Sequence, residues 1–154
     1  MNRRQFIGSA AAVSLSTVAA TAAAHGMHNH GSHDHAHHAH TAANNPYDAL
    51  RTATGHCQAA GNVCLAHCIR LLSQGDTSMK DCATNVNQML ALCGALSNLA
   101  AQQSSLVPQL AKVALQACRA CAAACKEHAG HHAECKACYE SCLACIKECE
   151  KVAA

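Results

Sequence analysis

From residue 45 onward, apolar positions return every three or four residues, the repeat of one face of an α-helix. Four such stretches follow one another. The first starts after Asn44 or Asn45, either of which can cap a helix with Pro46 in its first turn, and runs to Gly75. Its inward stripe reads Leu50, Ala53, Cys57, Gly61, Cys64, Cys68 and Leu71. The second, capped by Asp76 or Thr77, carries Cys82, Val86, Met89, Cys93, Leu96 and Ala100. The third begins at Ser104 or Ser105, tolerates Pro108 in its first turn, and carries Val107, Ala111, Ala114, Cys118, Cys121 and Cys125 until Gly130 interrupts it. The fourth carries Cys135, Cys138, Cys142, Cys145, Cys149 and Val152. There is no strand-like alternation and no glycine-rich phosphate loop. Helices of roughly 22–28 residues span about 33–42 Å, and connections this short make consecutive helices antiparallel neighbours. The pattern predicts an all-α chain: an antiparallel up-down-up-down four-helix bundle with a cysteine-lined core.

The residue type on that stripe changes the picture. Positions that would ordinarily be Leu or Ile hold thiols, 13 of them, so the interior reads as a channel of soft metal ligands. The only Phe is Phe6, far from the helices, and there is no Trp. The core therefore rests on Leu, Ala, Val, Ile and Cys, with Tyr47 and Tyr139 beside it. Cys is a small, modest hydrophobe, so such a bundle is looser than a leucine one and gains stability from metal binding.

A disulfide framework explains the cysteines poorly. Their number is odd, which leaves one thiol over. Most have their nearest cysteine one turn along the same helix, where a cross-link closes almost no loop. Among metals, thiolates select Cu(I), Zn(II) and iron–sulfur clusters. Zinc requires discrete tetrahedra and iron–sulfur clusters usually four cysteines each; a long column of thiol pairs suits neither well. Cu(I) accepts two or three thiolates without strict geometry. If no thiolate is shared, 13 cysteines hold about six ions; if each bridges two ions, ligands and charges balance near one Cu(I) per cysteine. Unpaired buried thiolates are prohibitively costly, so the empty channel is protonated and sheds protons as it fills. An enzyme would show one or two differentiated cysteines with an activating partner, and a chaperone a few exposed sites. Many near-equivalent buried sites indicate storage, with no catalytic role. An iron–sulfur carrier and a disulfide-linked redox protein are the alternatives.

The segments before the helices differ in kind. Residues 1–24 have the layout of an export signal: basic Arg3 and Arg4, a weakly apolar stretch from Ile7, and small residues at Ala22, Ala23 and Ala24. Arg3-Arg4-Gln5-Phe6-Ile7 resembles a twin-arginine signal, which delivers folded proteins to the periplasm. No membrane insertion is expected once it is removed. Residues 25–44 form a spacer in which His25, His28, His30, His33, His35, His37, His38 and His40 follow no helical or strand period. This composition predicts a disordered tail that either solvates or weakly captures divalent copper, zinc or nickel. The metal-binding domain is 45–154. A net charge of +2 points to neither nucleic acid nor an acidic substrate.

Topology gives the channel two unlike ends. His67, Cys68, Met79, Cys82, Cys125, His128, His131, His132 and Cys135 fall near one; Leu50, Leu96, Ala100, Val107, Leu110 and Val152 close the other. Metal is expected to pass at the His/Met end, with His67 and Met79 as the added ligands and Met89 as core filler. A second apolar stripe, Leu65, Ile69 and Leu72 on the first helix with Tyr139, Leu143 and Ile146 on the fourth, either widens the bundle's own seam or serves self-association.

Taken together, the paired arginines, the bundle pattern, the 13 cysteines in this spacing, His67-Cys68 and Met79 resemble the exported bacterial copper storage proteins. The resemblance covers residues 45–154. It implies a homotetramer of four-helix bundles that stores many Cu(I) ions, with His and Met ligation at the open end, for supply to a copper-accepting enzyme such as methane monooxygenase or for detoxification.

Overall fold

The computed structural model describes residues 44–153. The expected export signal, and the His-rich segment up to residue 43, lie outside the described residues. Four helices make up the rest: α1 Asp48–Ser73, α2 Lys80–Ala101, α3 Val107–His128 and α4 Ala133–Val152, with a 3-10 turn Thr77–Met79 leading into α2.

The helix boundaries follow from local chemistry. Asn45, three residues ahead of Asp48, opens the domain by accepting the Tyr47 N–H on its side chain (2.9 Å). Asp76 does the same for Ser78 N–H (3.1 Å), so it caps the 3-10 turn and, through it, α2. At the end of α1, Gly75 takes φ +92°, and the N–H groups of Gly75 and Asp76 close on Leu72 O and Leu71 O. This is the left-handed exit that glycine makes cheap. The end of α2 turns the same way on a side chain that does not favour it: Gln103 sits at φ 52°, and Ser104 N–H reaches back to Leu99 O (3.0 Å). Pro108 lies in the first turn of α3, where its missing N–H costs nothing.

Helix α1 packs on α2 and α4, and α3 packs on α2 and α4; the diagonal pairs make no close approach among the described residues. The antiparallel sense shows at both ends. Asn45, ahead of α1, donates to Ala100 O at the end of α2 (3.0 Å), and His67, near the end of α1, meets His132 at the start of α4. The square arrangement leaves a central space that inward side chains must fill. Every expected stripe residue of α2 and α3 is buried, as is every cysteine of α4. Leu71 and Val152, at the last turns of their helices, are only half buried.

Two contacts refine the packing. Gly61 marks the closest approach of α1 and α2: a Cβ there would stand 2.7 Å from Met89 Cε and 2.9 Å from Leu90 Cδ2. Thr54, fully buried beside Leu50, donates to Leu50 O and shares Arg51 O (both 2.9 Å), so the aliphatic end contains no unsatisfied hydroxyl. Of the second apolar stripe, Leu65, Leu72, Tyr139 and Ile146 pack against the core from the seams, whereas Ile69 and Leu143 stay 56% and 40% exposed.

Candidate metal centre

All 13 cysteines are free and each has zero exposure. They are one continuous body of sulfur. Toward the His end, Cys64, Cys68, Cys82 and Cys135, one or two from each of α1, α2 and α4, have sulfurs mutually within 4.8 Å. Cys64 also belongs with Cys125 and Cys138, and Cys138 in turn with Cys121 and Cys142. Cys142 stands 3.5 Å from Cys57, which joins Cys93, Cys118 and Cys145; Cys149 ends the run 4.0 Å from Cys145. The column thus links every thiol through steps no longer than 4.8 Å, and many neighbours are 3.5–4.0 Å apart. With metal–sulfur bonds of about 2.3 Å, three-coordinate metal needs sulfurs about 4.0 Å apart and linear metal about 4.6 Å. The spacing therefore accommodates metal at either coordination number. The group of Cys57, Cys93, Cys118 and Cys145 and that of Cys64, Cys68, Cys82 and Cys135 have no residue in common. Cys64 and Cys138, however, each serve two groups and so run the groups together, an arrangement suited to bridging thiolates.

The electrostatics of the metal-free column follow from burial. Burial, and then the negative charge of Cys82, pushes the Cys68 thiol up to about 12 and the Cys135 thiol to about 11. Cys82 itself is lowered to about 3 by hydrogen bonds from Cys125 and Cys64. A thiolate cradled by S–H donors, beside Cys68 and Cys135 that keep their protons, is a cheap way to hold charge in such a site.

At the end bearing His67 the imidazoles form a chain. His67, 9% exposed, places Nε2 3.0 Å from His132 Nδ1, and His132 lies 6.3 Å from His128 between ring centroids. On its other side, His67 Nδ1 has Arg70 Nη2 at 2.8 Å and Glu134 Oε1 at 3.2 Å. Two proton arrangements are open to it. With Arg70 donating to Nδ1, the Nε2 proton goes to His132. With Nδ1–H donating to Glu134, the Nε2 lone pair is released, as in a carboxylate–histidine–metal arrangement. Glu134 is held below the usual carboxylate range by its own backbone N–H, with His67 and Arg70 adding to the effect, so it is anionic and ready to accept. A surface cavity of 440 Å³ lined by Asn62, Val63, Ala66, His67, Arg70 and Glu134 reaches this imidazole from solvent. Met79 is buried at the N-terminus of α2, one turn before Cys82, with its 3-10 turn against α1. His131 is exposed.

A family model described as copper storage protein matches residues 43–154. The chain belongs to the copper storage protein family. No curated protein matches it. Among solved structures, its fold is similar to that of apo copper storage protein 3 from Bacillus subtilis, with 24% identity, a TM-score of 0.61, and coverage of 70% of this chain and 99% of that one. In this copper storage bundle, sequence periodicity located every thiol on the inner face. It did not single out Arg70 and Glu134, although Arg70 lies one turn from His67 and Glu134 in the first turn of α4. It also missed the contact between Met89 Sδ and Cys57 Sγ (3.3 Å).

Proposed function

We propose that this protein stores many Cu(I) ions per chain on Cys57, Cys64, Cys68, Cys82, Cys93, Cys118, Cys121, Cys125, Cys135, Cys138, Cys142, Cys145 and Cys149. The carrying observation is the unbroken column: thiols shared between neighbouring groups favour bridging thiolates, and bridging thiolates bring ligand number and charge into balance near one Cu(I) per cysteine. Membership of the copper storage family disfavours an iron–sulfur carrier. Storage requires no catalytic group, and the protein is a reservoir rather than an enzyme.

His67 and Met79 serve as the ligands at the mouth. Their support is burial at the one end not closed by aliphatics, the solvent cavity beside His67, and the anionic Glu134 that frees Nε2. Upstream of the bundle domain at 45–154, residues 1–24 act as a twin-arginine signal that exports the folded chain to the periplasm, on the strength of Arg3-Arg4-Gln5-Phe6-Ile7. The His-rich residues 25–44 stand between signal and bundle. Family membership and the exposed apolar residues Val63, Ile69 and Leu143 support a homotetramer, and a copper-accepting enzyme is the natural recipient of the store.

Anaerobic titration of the reduced protein with Cu(I) against a competing chelator tests the reading. Saturation near one ion per cysteine is expected. Saturation at two to four ions per chain, or preference for Zn(II), overturns it.

A further inference from the structure

Cys57 and Cys142 stand where the two parts of the sulfur column meet. Among the close thiol contacts, the step from Cys142 to Cys57 (3.5 Å) joins the groups on the His side to the Cys57, Cys93, Cys118 and Cys145 group. At that joint stands a sulfur that is not a thiol. Met89, fully buried on the inner face of α2, holds Sδ 3.3 Å from Cys57 Sγ, closer than the nearest thiol pairs at 3.5 Å. Its orientation is built in. The methyl group sits against Gly61, where even a Cβ would come within 2.7 Å of it, so the missing side chain on α1 makes the room that lets the thioether turn its sulfur to Cys57.

We infer that Met89 is a copper ligand inside the column, completing a Cu(I) site with Cys57 and Cys142 at its waist. The inference rests on the storage reading above and adds a fourteenth sulfur to it. On binding, the Cys57 S–H that now donates to Met89 Sδ and the Cys142 S–H each give a proton to solvent, two Cu–Sγ bonds replace the two S–H bonds, and the thioether lone pair of Met89 adds a dative bond. No electron changes hands. A thioether is soft enough for Cu(I), carries no charge and releases no proton, so it adds a donor beside the two thiolates without adding to their charge in a buried region. A third thiolate at this level would add negative charge to the most enclosed part of the column.

Selenium reports on this site directly. The full chain carrying Met79→Leu, grown with selenomethionine and loaded anaerobically with Cu(I), should show copper at bonding distance in its selenium X-ray absorption spectrum. The Met79→Leu/Met89→Leu chain prepared in the same way should not, which isolates Met89 from Met1 and Met27. The single variant Met89→Leu, close in volume and still helical, should lose one tightly held ion per chain in chelator competition. Copper bound by sulfur with no copper neighbour to selenium, together with an unchanged titration of Met89→Leu, overturns the ligand assignment while leaving storage intact. Failure of the unsubstituted chain to take up Cu(I) overturns both.

Discussion

Cys68 and Cys135 keep their protons well past the ordinary thiol value of 9.0, because ionising them would place charge beside Cys82 in a dry interior. In the unfolded chain both would ionise near 9. Above that pH the unfolded state binds fewer protons than the folded one, so these two residues leave stability unchanged below about pH 9 and reduce it as pH rises toward 12. Cys82 works in the opposite sense at low pH: held at about 3, it contributes stability that is complete above 9 and lost as pH falls toward 3. The urea midpoint of the reduced, metal-free protein should therefore fall once the pH passes about 9. A midpoint that keeps rising there would mean the two thiols are not buried neutral. At the mouth, His67→Ala with Met79→Ala should slow both loading and removal, by about tenfold if they behave like other residues that tune a metal site, while capacity stays nearly intact. Stopped-flow uptake checks it, and unchanged rates would move the mouth elsewhere. Periodicity revealed which residues turn inward because a helix repeats every 3.6 residues. It did not reveal partners such as Glu134 and Arg70, since those contacts depend on how two helices are set in register.

The helices themselves could be read with few errors, as each is bounded by a residue with one physical job. Gly75 is the clearest case, and Asp76 was correctly read as a cap although it reaches α2 through a 3-10 turn. The exit from α2 was less legible, for nothing in Gln102 or Gln103 signals a left-handed residue. That position invites a test. Gln103 at φ 52° bears a strain of roughly 1–2 kcal/mol that glycine avoids, so Gln103→Gly should raise stability by about 1 kcal/mol after glycine's extra unfolded-state freedom is counted. Thermal unfolding of the metal-free form would show the gain. Gly61 behaves in reverse. Alanine is the better helix former by about 1 kcal/mol, but at this position its methyl collides with Met89 and Leu90, an overpacking that costs about 1–3 kcal/mol. Gly61→Ala should thus be neutral to destabilising, and a clear increase in melting temperature would show that α1 and α2 separate at little cost.

At the scale of the whole molecule, folding and filling are linked. A bundle lined by small thiols has less apolar surface to bury than one lined by leucine, and any ion held only by the folded form adds to its stability. Progressive loading should raise the melting temperature in steps and release protons from the thiols that begin neutral, both measurable in a single calorimetric titration. The outer surface carries its own expectation. Most of the second stripe is absorbed in the seams, which leaves its Ile69 and Leu143 open to solvent, as is Val63 on α1, and sedimentation of the metal-free protein should show a species heavier than one chain. A monomer at micromolar concentration would return these residues to the status of scattered surface apolars. The plug of Leu50, Leu96, Ala100 and Val107 has a consequence in time as well as in space. A shaft sealed at its foot keeps a record of its own history: the first atoms to arrive travel deepest and are the last to leave. If the protein is charged with one copper isotope, then topped up with another and slowly drained, the later isotope should emerge first.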